Sequence, residues 1–357
     1  MDLEAILTNR LTVADQEQLR GGQQRAFANA LSALRQVSGP SVQPADRVQI
    51  DLAEAAWQDL RARESRRVLT GAPYISWVMY GLYARIENAS VPLPELIFGT
   101  EVNIPWAGPL PVFRLDGVPD IERKLTAEAV YFGRDGQSFE PTILADRARL
   151  DRWTRGVAGS LTALCKYQPD VAAFYPKFVE YHVPLDPGSR SEGAFGISVT
   201  SRNAPGVIGF SEMLPLAQAE TLVHECRHNI LYAIQEVDPL VQPGQQETVQ
   251  SPWRPDQRPL SGLLHGAFVF DGVCRLYRAM ITDSSLSPRN LRAAAKRLIE
   301  QARLLGEAAE TLRCASTFTK AGQQLAALLT ESANEHLAAG DSVRGLLSGS
   351  AVESSTT

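Results

Sequence analysis

The chain has 357 residues, a formal net charge of −5, 44% hydrophobic and 21% charged side chains. This is ordinary globular composition, and the mild acidity argues against a nucleic-acid partner or an anionic membrane surface. The four cysteines, Cys165, Cys226, Cys274 and Cys314, form no CxxC pair, so neither a zinc knuckle nor a disulfide framework is implied.

Met1-Asp2-Leu3-Glu4-Ala5 carries acids and no basic n-region, so no secretory signal is predicted. No apolar run approaches the ~18 residues of a membrane span. A cytoplasmic enzyme is expected. Helices are predicted over 11–37, with Thr12 and Asp15 near the start, and over 45–88. Arg61, Arg63, Arg66 and Arg67 lie among acids and read as a solvated helix face. The aromatic run over 73–83 reads as core.

Residues 92–145 change character, with short β-favouring runs at Leu96–Gly99, Val112–Leu115 and Ala129–Phe132, broken by Pro, Gly and Asp. A helix follows over 146–167. Strand-like runs at Phe178–Leu185, Ala194–Thr200 and Gly206–Ser211, separated by Pro187-Gly188 and Asn203-Ala204-Pro205-Gly206, predict a small antiparallel meander. Then come a helix over 215–236, a Pro- and Gln-rich loop over 239–258, and helices near 260–282, 288–313 and 316–340. The fold class is α+β and mostly helical, with a central antiparallel β-region preceding the 215–236 helix. A helical region over 1–91, a mixed region over 92–345 and a disordered tail over 346–357 are expected. No clean linker divides the first two, so one continuous domain is also open.

Chemistry is legible in one pentapeptide, His224-Glu225-Cys226-Arg227-His228, an HExxH motif in a chain with five histidines. On a helix, residues i and i+4 share a face with Cβ atoms about 5–6 Å apart, so two imidazoles there can close on one metal ion. Leu216, Ala219, Leu222, Val223, Cys226, Ile230, Leu231 and Ala233 recur at helical spacing, and Pro215 suits a first turn. The segment therefore reads as a largely buried helix. Cys226 is expected to pack rather than ligate.

A catalytic metal needs a third protein ligand. The metzincin continuation is absent, since Asn229-Ile230-Leu231-Tyr232-Ala233-Ile234 follows His228. His265, in an apolar helix, is the leading candidate, with Asp271 and Glu236 as alternatives. His182 and His336 are expected to be structural or surface residues. In the loop Ser251-Pro252-Trp253-Arg254-Pro255-Asp256-Gln257-Arg258-Pro259, the two arginines either pair with Asp256 or another acid, or form a carboxylate clamp.

Two chemistries compete for this motif. A zinc peptidase would use Glu225 as general base, with Gly206–Ser211 as an edge strand for a peptide substrate. An Fe(II) oxygenase would leave room for a 2-oxo acid and O₂, although the familiar triad there is two His and one carboxylate. The three blocks His224–His228, Ser251–Arg254 with Arg258-Pro259, and Leu264-His265-Gly266 resemble, in order and spacing across about 178–282, the HExxH-motif peptide-modification proteins of ribosomally made peptide natural-product pathways. Some of those are fused to radical-SAM domains, whereas this chain has no CxxxCxxC motif. The resemblance implies an Fe(II)- and 2-oxoglutarate-dependent hydroxylase, not a jelly roll, acting on the β-carbon of a residue in a precursor peptide. It implies His224, His228 and His265 as iron ligands and Arg254 and Arg258 on the 2-oxoglutarate carboxylate. Glu225, the catalytic candidate, is then implied either to support the ligands from behind or to handle a proton, rather than to be a peptidase base.

Overall fold

The computed structural model describes residues 2–8, 10, 12–37, 102–104, 112–114, 131–132, 138–139, 141–179, 181–188, 196–202, 206–245 and 247–348. The arginine-rich stretch over 61–67, the aromatic run over 73–83, the strand expected at 96–99 and the boundary at 91–92 lie outside them. So do residues 349–357 of the expected tail; its start falls in a short helix, Gly345–Ser348. Among the described residues the fold is α+β and mostly helical, with a small mixed sheet and no barrel. Among the described residues, no helix is long and apolar enough to cross a membrane.

Among the described residues the helices, in chain order, are α1 (Leu3–Leu7), α2 (Val13–Val37), α3 (Arg147–Tyr167), α4 (Pro169–Phe178), α5 (Pro215–Val237), α6 (Leu260–Ile281), α7 (Pro288–Cys314), α8 (Lys320–Ser342) and α9 (Gly345–Ser348). The predicted helices at 11–37, 146–167, 215–236, 260–282 and 288–313 are present almost to their ends. Helix α4 was not anticipated. The chain forms two compact units: residues 1–15, 163–172 and 238–357 in one, and 16–162 and 173–237 in the other.

The second unit holds a four-stranded sheet of β5 (Thr142–Ile143), β6 (Tyr181–Asp186), β8 (Val207–Ser211) and β7 (Ser198–Thr200), in that order. Two short antiparallel pairs precede it: β1 (Val102–Ile104) with β2 (Val112–Arg114), and β3 (Tyr131–Phe132) with β4 (Ser138–Phe139). The expected antiparallel meander is corrected here. β6 runs parallel to β8, with His182 opposite Ile208 and Pro184 opposite Phe210, while β5 pairs antiparallel with β6 and β7 with β8. The physical reason is visible in β8, whose five residues are all buried. A run covered on both faces belongs at the inside of a sheet, where parallel pairing is common. Among the described residues Gly206–Ser211 is therefore an inner strand, and β5 and β7 are the outer ones.

Helix α5 forms because Ala219, Leu222, Val223, Cys226, Ile230, Leu231, Ala233 and Ile234 give it a continuous buried stripe at three- and four-residue spacing. Its register is tied to the sheet. Gly206, at φ +82°, turns the chain into β8, and its N–H donates to Asn229 Oδ1 at 2.7 Å. On α3, Asp146 caps the start by accepting from Arg149 N at 2.7 Å. Trp153 of α3 is fully buried, donates from Nε1 to Phe210 O at 3.0 Å and packs its ring 4.9 Å from that of Phe210. Burying one such side chain contributes roughly 2–3 kcal/mol.

In the first unit α6, α7 and α8 pack against one another. Helix α7 starts where Ser287 accepts from Asn290 N ahead of Pro288, and buries Leu298, Leu305 and Leu312 at heptad spacing. Helix α8 is capped by Thr319, which accepts from Gly322 N at 3.1 Å. The loop expected over 239–258 contains a hairpin, β9 (Thr248–Gln250) with β10 (Gln257–Pro259). Its polar three-residue strands offer no alternation from which to predict it.

Candidate metal centre

The i, i+4 spacing on α5 brings the imidazoles of His224 and His228 together. Their Nε2 atoms stand 3.3 Å apart, with ring centroids 4.9 Å apart and planes at 67°. Two nitrogens held ~2.0–2.1 Å from one metal at a tetrahedral angle lie about 3.3 Å from each other, so the pair fits a single divalent ion. Both rings keep a partly open edge. Packing around His228 nonetheless lowers its pKa well below the ordinary value, by burial first and then by the neighbouring His224. The neutral form is the one that ligates. Tyr232, one turn on, stacks against His228 with centroids 6.1 Å apart.

Glu225 points inward. It is 2% exposed, with Oε1 3.9 Å from His224 Nε2. Burial raises its carboxyl to about 7, while the Ser198 and Thr200 hydroxyls, on the same face of β7, pull it back. Burial pushes the Cys226 thiol up to about 12, which agrees with the packing role expected for it. Arg227 is fully buried, which the spacing argument did not anticipate.

A second buried polar pair belongs to the same unit. Tyr175 Oη and His182 Nε2 are 2.7 Å apart, and both residues are almost wholly buried. Burial drives the His182 pKa down to about 3, so the ring is neutral, and its Nδ1 is a buried atom with no hydrogen bond in the protein. His182 faces Phe210 edge-on at 6.1 Å. It is a structural histidine, one of the two expectations held for it.

The other candidates belong to the first unit. His265 lies half-buried on α6. Arg254 Nε stands 3.2 Å from Asp256 Oδ1, and Arg258 Nε stands 2.9 Å from Asp256 Oδ2. The two arginines thus converge on one carboxylate, which the loop itself supplies. Asp271, an alternative third ligand, is committed elsewhere. Its Oδ1 accepts from Ser332 Oγ at 2.5 Å and lies 3.0 Å from His336 Nε2, and its Oδ2 accepts from Arg275 Nε at 3.0 Å. His336 is fully buried in this cluster, so it is structural and not on the surface. Glu236, the remaining alternative, pairs with Arg202 at 2.6 Å.

The structure therefore brings His224, Glu225 and His228 together in one unit, and Arg254 and Arg258 together in the other. Among the described residues, no group of three or more His, Cys, Asp or Glu side chains is gathered to hold a metal. In comparisons with known proteins, the chain matches no family model and no curated protein.

Proposed function

We propose that this protein is an Fe(II)- and 2-oxoglutarate-dependent oxygenase that hydroxylates the β-carbon of a residue in a ribosomally made precursor peptide. The observation that carries the reading is the 3.3 Å separation of the His224 and His228 Nε2 atoms, the spacing of two ligands on one ion. The iron supplies, with O₂ and 2-oxoglutarate, the oxidising power that converts C–H to C–OH while the cosubstrate becomes succinate and CO₂. His224 and His228 hold the metal as neutral imidazoles. The third ligand in this proposal is His265, taken from the sequence. Arg254 and Arg258 orient the cosubstrate through its carboxylate, a role that suits their shared grip on Asp256. Glu225, sealed against Ser198 and Thr200, can take up or release a proton beside His224 near neutrality.

The test is anaerobic reconstitution with Fe(II) and 2-oxoglutarate, followed by O₂ and a candidate precursor peptide. Succinate and a product heavier by one oxygen atom are expected, and both should disappear in His224→Ala and His228→Ala.

One observation favours a second reading, a zinc metallopeptidase. A carboxyl poised at about 7 and 3.9 Å from a ligand nitrogen is suited to general-base work on metal-bound water. Zinc-dependent cleavage of the peptide with no succinate would replace the first reading by this one.

A further inference from the structure

The hairpin that carries Arg254 and Arg258 is built to stay in place. Gln250 Nε2 donates to the carbonyls of Arg254 at 2.9 Å and Ser251 at 3.2 Å, which knits the tip to its own stem. Trp253 stacks on Phe270 of α6, with centroids 4.7 Å apart and planes at 11°, and its Nε1 donates to Gln301 Oε1 at 3.0 Å. Gly266 lets the indole lie close to α6, because a Cβ there would stand 3.1 Å from the Trp253 ring and would push it by a few tenths of an ångström. The tip is therefore pinned at its indole, while the side chains of Arg254 and Arg258 stay 45% and 35% exposed. A receptor held this way loses little conformational entropy when it binds.

What the guanidiniums hold is already a carboxylate, and they hold it imperfectly. Arg254 Nε makes a hydrogen bond to Asp256 Oδ1. Arg258 Nε is a buried donor atom; it lies 2.9 Å from Asp256 Oδ2, but no acceptor meets it with hydrogen-bonding alignment. Asp256 sits only two residues from each arginine, and so short a tether limits how it can present its two oxygens. An untethered carboxylate can meet the planar forks in better alignment.

We propose that Asp256 is the resident occupant of an arginine carboxylate receptor, and that a carboxylate-bearing ligand binds Arg254 and Arg258 by displacing it. The proposal rests on the cosubstrate role given to these arginines above and adds a self-competing gate to it. Desolvation pushes the Asp256 carboxyl up, but its own backbone N–H, the Arg254 hydrogen bond and the Arg258 charge outweigh this and hold it below the usual range. Asp256 is consequently a charged competitor at every pH near neutrality. Exposed pairs of this kind are weak, so displacing Asp256 costs an incoming carboxylate little.

The experiment titrates the metal-free full chain by calorimetry with two probes, succinate and an amidated N-acetyl-aspartyl peptide, which separate a free dicarboxylate from a peptide carboxylate as the source. Asp256→Asn should bind one of the probes about threefold to tenfold more tightly than the natural chain, and which probe tightens identifies the source. Arg254→Met and Arg258→Met should bind that probe more weakly than the natural chain. Equal or weaker binding by Asp256→Asn overturns the proposal, as does unchanged binding by the methionine variants or no binding by any chain. The oxygenase reading fails separately. A chain that shows this binding pattern but forms no succinate with Fe(II) and O₂ loses the oxygenase and keeps the gate. A chain that turns over while Asp256→Asn is unchanged loses the gate alone.

Discussion

Replacing His182 by Gln should remove a large part of the chain's sensitivity to mild acid. The ring is 1% exposed and its pKa falls from an ordinary 6.5 to about 3 through burial. Between those two values the unfolded chain binds a proton that the folded chain refuses, so stability rises with pH across that window and is lost as pH falls. The loss begins near pH 6.5 and approaches about 1.4 kcal/mol per pH unit below it, which gives roughly 2 kcal/mol between pH 7 and pH 5. Gln can still accept from Tyr175 Oη but does not titrate. The assay is urea unfolding of both chains at pH 7 and pH 5, with chelator present so that metal linkage is absent. The natural chain should lose about 2 kcal/mol more than the variant over that interval. Equal losses in the two chains would refute the reasoning, because the burial of a neutral imidazole would then carry no protonation penalty.

Other perturbations have equally definite outcomes. Asp271→Ala leaves Arg275, Ser332 and His336 without their common acceptor in a buried site, and should cost about 3–5 kcal/mol in urea unfolding at constant m. Gly322→Ala places a Cβ 1.9 Å from the Leu240 carbonyl oxygen, which backbone movement alone can relieve, so a loss of about 1–3 kcal/mol or more is expected. A divalent ion at one hundred times its dissociation constant should stabilise the natural chain by about 2.7 kcal/mol, and His228→Ala should abolish that increment while melting normally in chelator.

The helices were legible because their signals are local. Apolar residues at three- and four-residue spacing run through α5 and α7, and Ser287-Pro288 marks a start that needs no tertiary information. The histidine pair was legible for the same reason, since one turn of helix fixes it. What the sequence left open depends on partners far along the chain. His336 looked like a residue near a polar end, but its acceptor Asp271 is 65 positions away and no local pattern announces it. The direction of β6 against β8 was hidden because strand propensity does not encode polarity, although the unbroken apolar run of β8 already pointed to an inner strand. Helix α4 was obscured by Pro169 and Pro176, yet Val171, Phe174, Tyr175 and Phe178 bury one face of it. For the two arginines the sequence leaves clamp and ion pair open, and the structure shows the ion pair with Asp256.

The pentapeptide at the heart of α5 is two-sided. Glu225, Cys226 and Arg227 are sealed inside, while His224 and His228 keep an open edge. The customary knock-out of such a motif, glutamate to alanine, is therefore a poor diagnostic in this chain. It would empty a buried volume beneath Ser198 and Thr200 and lower the amount of folded protein, and the resulting silence would pass for lost chemistry. Glutamine, which fills the same space, is the informative substitution. Any large survey of variants should score abundance and metal uptake as separate columns, because a failure at 225–227 and a failure at 224 or 228 have different causes behind the same inactive phenotype.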